Sequence, residues 1–155
     1  MSFDSNHEEH LRELQAQIRR AQTITPALMA DVIARACPRL QAQHRSARAR
    51  VTRLIESGAL ADVALALLEL ELPQWKLRRL IREDDEWQCS LSKHVGLPAE
   101  LDDMAEADHE SLPLAILSAF VAARRHSFIA GESRPQSVPR VRPIQGYAIC
   151  CDNFA

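Results

Sequence analysis

The sequence predicts a mostly helical domain of the α+β kind, with one β-hairpin and a loose C-terminal tail. Three observations predict it. Alanine, leucine and arginine, all good helix formers, are abundant, whereas glycine occurs four times and aromatic residues make up 5% of the chain. That is too little glycine and aromatic surface for the turns and faces of a β-sandwich or barrel. Apolar residues recur at helical spacing up to Glu71, and between 75 and 92 the spacing changes to alternation. At 155 residues, 46% hydrophobic and 26% charged, the chain can bury one core without metals or disulfides. It divides into an N-terminal amphipathic helix (1–24), a helical domain with a hairpin near 75–92 (25–126), and an extended or disordered tail (127–155).

The elements follow in order. Leu11, Leu14, Ile18 and Ala21 form one stripe of a helix beginning near His7. Thr25-Pro26 reads as an N-cap and first helical residue, leading into Leu28, Met29, Val32, Ile33 and Ala36. Pro38 places Cys37 at a break. A third helix runs over about 39–56, and Ser57-Gly58 ends it through a left-handed glycine. "ALADVALALLELEL" is apolar nearly all round, so it is a buried helix, and Pro73 stops it.

In "WKLRRLIREDDEWQCSLS", Trp87, Cys89 and Leu91 alternate with Gln88, Ser90 and Ser92. Closing the hairpin with Glu83-Asp84-Asp85 sets Ile81 opposite Trp87, Leu77 opposite Leu91 and Arg82 opposite Glu86. Trp75, Leu77, Ile81, Trp87, Cys89 and Leu91 then face the core, and Lys76, Arg78 and Arg82 form an outward basic strip. Arg79 is left on the apolar face, where it must pair with an acid from 100–110 or extend its head to water. A helix over 75–83 is the alternative. Segment 97–110, with six acids and no lysine or arginine, reads as a short helix or a loop. Ser111 then caps a core helix over 112–126, and three prolines and two glycines beyond Ser127 predict the tail.

A net charge of −2 creates no global field for nucleic acid or an anionic membrane. No run reaches the roughly 18 apolar residues of a membrane span. The polar start "MSFDSNHEEH" is unlike a secretory leader, so the cytoplasm is expected. The four cysteines, at 37, 89, 150 and 151, lack the C-x-x-C spacing of zinc or redox sites. His7-Glu8-Glu9-His10 spaces its histidines by three rather than four, and the acids of 100–110 lack the glycine of a calcium loop, so no metal is expected.

No phosphate loop or nucleophile elbow is present, and no cofactor is expected. A dyad of Cys89 with His94 or His109 is the one catalytic arrangement to weigh, against a core role for Cys89. Residues 35–53 hold six arginines and no acid, which makes Arg45, Arg48, Arg50 and Arg53 candidates for phosphate contacts. The helix preceding the hairpin, however, carries Asp62, Glu69 and Glu71 and no base, so it is no recognition helix for DNA.

"ELPQWKLRRLIREDDEWQCSLS" and "LPAELDDMAEADHESLPLAILSAF" resemble a block found in uncharacterised small alphaproteobacterial proteins, over about residues 54–125. The resemblance implies a bacterial, cytoplasmic protein and assigns no activity or site residue. The resulting expectation is a non-enzymatic regulatory or adaptor protein working through protein contacts, with Lys76, Arg78, Arg79 and Arg82 as the binding strip. Helices 6–22 and 39–56 are amphipathic enough to pair between chains, so a homodimer is also expected. The alternative is a nucleic-acid-associated protein using the arginines of 39–56.

Overall fold

The structure, a computed structural model, describes residues 3–42 and 45–132. Its order is α1 (Phe3–Arg20), α2 (Pro26–Ala36), α3 (Pro38–Ala42), α4 (Arg45–Glu56), α5 (Leu60–Glu71), β1 (Lys76–Glu83), β2 (Glu86–Ser92), a 3₁₀ turn (Ala99–Leu101), β3 (Met104–His109) and α6 (Leu112–Glu132). The chain is thus mostly helical, with one small antiparallel sheet ordered β1-β2-β3.

The local signals explain the helix ends. Thr25 Oγ1 accepts the Leu28 N–H at 3.1 Å, and Pro26 opens α2 where no N–H is needed. At the far end of α2 the Gln41 amide donates to the carbonyls of Ile33 and Ala34. Gly58, at φ +71°, ends α4 in a Schellman motif: Ala59 N–H bonds Leu54 C=O and Gly58 N–H bonds Ile55 C=O. Pro38 does stand at a break, with Cys37 as the C-cap of α2.

α6 is the centre of the molecule. Every residue from Leu114 to Ala123 is buried, because α1, α5, β2 and β3 surround it. Leu11, Leu14 and Ile18 of α1 are fully buried in the same core. The N-terminal helix is therefore part of the domain, and its apolar stripe is not free to pair with a second copy. Of the described helices, α6 alone has the length and apolarity of a membrane span, and over half of that span is enclosed by the fold.

α6 also runs six residues beyond the expected end at His126, so the tail boundary at 127 is corrected. Trp75 holds this extension: its indole Nε1 donates to Ser127 Oγ at 2.8 Å. The tail expected further on, with Cys150 and Cys151, lies outside the described residues from 133 onward.

The hairpin forms with a shorter turn than the alternation predicts. Asp84 and Asp85 alone close it, with φ of 50° and 66°, the left-handed pair that matches the twist of two-residue hairpins. Glu83 therefore faces Glu86, Arg82 faces Trp87, Ile81 faces Gln88 and Leu80 faces Cys89. A bulge between Leu77 and Arg79 then restores the expected pairing of Leu77 with Leu91. The consequence is that Leu80, not Ile81, packs inward, while Leu77 is exposed.

A second difference is larger. The acidic run 104–109 is neither helix nor loop but a third strand, with Ala105 and Ala107 opposite Leu91 and Cys89, and Glu106 and Asp108 on the other face. The inner face of the sheet lies on α6, leaving β1 and β3 as its edges.

Candidate functional site

The predicted basic strip is broken up by the bulge. Arg78, the bulged residue, turns along the sheet and donates from Nη1 to Asp102 Oδ2 at 3.1 Å and from Nη2 to Leu97 C=O at 3.0 Å. Arg82 is exposed and bonds the turn residue Asp85 at 3.4 Å. Lys76 and Arg79 are exposed. Arg79 lies on the outer face in a row with Ser90 and Glu106, not on the apolar face. The pairing between hairpin arginine and acidic segment does occur, but Arg78 makes it.

Asp102 is the hub of that arrangement. Its side chain is fully enclosed and accepts from Arg78, from the Ser92 hydroxyl and from the His94 N–H at 2.9 Å. Burial works to raise its carboxyl, but the Ser92 and His94 hydrogen bonds and the neighbouring His94 and Arg78 charges outweigh it and hold it below the usual carboxylate range. One loop away, Lys93 Nζ pairs with Asp103 at 3.1 Å and lies 5.2 Å from the Trp75 ring centre. Arg78, Ser92, Lys93 and the His94 N–H all bond acceptors within the chain, so the cluster fastens loop 93–103 to the sheet.

The catalytic dyad does not assemble. Cys89 is buried, and desolvation pushes its thiol up to about 12; Cys37 is raised further by burial and by Glu71, with Arg124 opposing. Both are protonated near neutral pH and poor nucleophiles. His109 is committed on both ring nitrogens: Nδ1 accepts the Ser111 N–H at 2.9 Å, so Nε2 carries the proton and donates to Ala21 C=O at 2.9 Å. It joins the end of α1 to the start of α6. His94 is exposed beside Asp102. Among the described residues no group of three or more His, Cys, Asp or Glu side chains is placed to hold a metal.

A separate group of exposed cations stands on α4. Arg45, Arg48, Arg50 and Arg53 are all exposed, and none forms an ion pair among the described residues. Val51 of this helix is buried, and Leu54 and Ile55 are partly so, which turns the four arginines around the solvent side. Arg48 of this set lines a groove of about 150 Å³ whose apolar wall is Ile33, Leu40, Val51 and Ile55, with Gln41 and Thr52 completing it.

Behind the groove stands Glu71, which in the sequence is no more than a charge unfavourable to DNA. Glu71 is 1% exposed, and its carboxylate accepts the N–H groups of Arg39 at 3.1 Å and Leu40 at 2.6 Å. It satisfies the first turn of α3 and so sets the wall of the groove. Its position was readable: Val63, Leu67 and Glu71 fall four apart on the buried stripe, whereas Asp62 and Glu69 fall on the exposed one. Nothing local marks Asp102 among the acids around it.

Comparison of the chain with protein-family models, with curated proteins and with solved structures gives no match.

Proposed function

We propose that this is a non-enzymatic regulatory or adaptor protein of the bacterial cytoplasm that binds an acidic, partly apolar segment of a partner protein along α4. The observation that carries this reading is the set Arg45, Arg48, Arg50 and Arg53, exposed without acidic partners among the described residues, beside the groove walled by Ile33, Leu40, Val51 and Ile55. An amphipathic segment laid there places apolar side chains in the groove and carboxylates against guanidinium groups. The hairpin strip is the weaker surface, because Arg78 and Arg82 already have partners.

The arginine-rich face of α4 by itself also favours a nucleic-acid backbone, which is the second reading. The apolar groove separates the two, since phosphates and sugars gain nothing from it. A second copy of the chain is the remaining candidate for the same surface.

Photo-crosslinking from position 52 in the native host tests the proposal. A partner adduct that falls about tenfold in Arg45→Glu/Arg48→Glu supports it. An adduct unaffected by the charge reversal refutes it. Salt-dependent retention on duplex DNA, lost in the same variant, selects the second reading, and a self-adduct with a dimeric sedimentation coefficient selects the second copy.

A further inference from the structure

The groove between α1 and α6 is a second concentration of cations, on a different part of the surface from α4. It encloses about 290 Å³ and is lined by Arg12, Gln15, Ala16, Arg19, Arg20 and Arg125, with no acid among them. Arg12, Gln15, Ala16 and Arg19 share a face of α1, since residues three, four and seven apart stand above one another. Arg125 reaches the groove from α6 and is three-quarters buried. It is held there by a 2.8 Å bond to Gln15 Oε1, yet its Nε is enclosed without an acceptor.

The acids near this groove stand outside its lining. Glu8 bridges Arg12 at 2.9 Å and Arg125 at 3.7 Å, and Glu9 reaches Arg12 at 3.5 Å. Arg19 and Arg20 are exposed and have no ion pair among the described residues, although Glu86, Asp108 and Glu110 line the next cavity, which these two arginines share. Exposed pairs of the Glu8–Arg12 kind contribute little and exchange readily with a stronger anion.

We propose that this groove is a binding site for a small anion carrying two or more linked phosphoryl groups. Guanidinium forks match phosphoryl oxygens two at a time, and several converging forks reward a multivalent anion over a single carboxylate. Arg12 and Arg19 are two helical turns apart, about 10 Å along the axis, so a chain of phosphoryl groups engages both ends where one phosphate cannot. Arg125 is the pre-set member, fixed by Gln15 before the ligand arrives. This site is independent of the α4 surface.

Isothermal titration of the full chain with inorganic tripolyphosphate, orthophosphate and sulfate tests it. Tripolyphosphate binds, orthophosphate and sulfate bind at least about tenfold more weakly, and Arg12→Gln/Arg19→Gln/Arg20→Gln weakens tripolyphosphate by about tenfold or more. These three side chains are exposed, and an unchanged circular dichroism spectrum verifies the fold of the variant. Arg45→Glu/Arg48→Glu leaves the titration unchanged. Absence of tripolyphosphate binding, equal affinity in the triple variant, or loss in the α4 variant alone overturns the proposal.

Discussion

Glu71→Gln is the substitution that most directly probes how the α4 groove is built. The glutamine keeps the shape of the side chain but turns one acceptor oxygen into an NH₂ donor, set against the N–H of Arg39 or Leu40. One hydrogen bond to a charged acceptor is lost, a contribution of about 1.5–3 kcal/mol. Removing the charge also relieves part of the cost of burying a carboxylate, which offsets about 1 kcal/mol of the loss. The net expectation is a destabilisation of about 1 kcal/mol. With a urea dependence of about 2 kcal/mol per molar, the unfolding midpoint falls by about 0.5 M. Glu71→Ala leaves both N–H groups without an acceptor and costs more, about 3–4 kcal/mol. Glu69→Gln, exposed on the same helix, is the control and stays within about 0.5 kcal/mol of the parent. A Glu71→Gln midpoint no lower than that of Glu69→Gln refutes the reasoning.

Three further outcomes are expected. Asp84→Asn/Asp85→Gly, which suits the two positive φ angles of the hairpin turn, raises the urea midpoint by the equivalent of about 0.5–1 kcal/mol; a lowered midpoint contradicts the turn geometry. His109 is expected in its neutral Nε2–H form by nitrogen NMR, and His109→Phe, which removes both hydrogen bonds, costs about 1–3 kcal/mol; an Nδ1–H tautomer contradicts the assignment. Because Cys89 is raised from 9.0 to about 12, its thiol loses a proton from the unfolded chain first. Its stabilisation is therefore complete below pH 9 and declines as pH rises toward 12, by about 1.4 kcal/mol per pH unit. Urea titrations across this range show a shallower decline in Cys89→Ala, and identical slopes refute the burial argument.

The hairpin shows where sequence reading stops. Alternation of Trp87, Cys89 and Leu91 predicts a half-buried β2; Cys89 and Leu91 are buried as expected, but Ser90 and Ser92 on the other side are buried as well. The same alternation misplaces Ile81 and Arg79, because register near a turn depends on whether two or three residues close it. Here Asp84 and Asp85 both adopt left-handed backbone, and one extra residue at the bulge absorbs the offset. β3 was hidden for a related reason. Alanine and acidic residues favour helix locally, and Met104–His109 becomes a strand only because the exposed edge of β2 pairs with it.

The candidate surfaces divide the same way. The acid-free arginine run of 35–53 is plain in the sequence, and its exposure on α4 follows from the apolar stripe of Val51, Leu54 and Ile55. That Arg78 is consumed by Asp102, while Arg79 is not, depends on a bulge that periodicity does not encode.

The sequence by itself determined the helical class, the caps at Thr25 and Gly58, the core stripes of α1 and α5, and the presence of a hairpin. Each of these is a short-range choice, made by a side chain acting on its own backbone or by spacing along one element. Only the tertiary structure decided the third strand, the selection of Glu71 and Asp102 as buried carboxylates, and the meeting of Arg125 with the arginines of α1. These join residues far apart in the chain, and charge type alone does not say which cation an acid will meet; packing around α6 does.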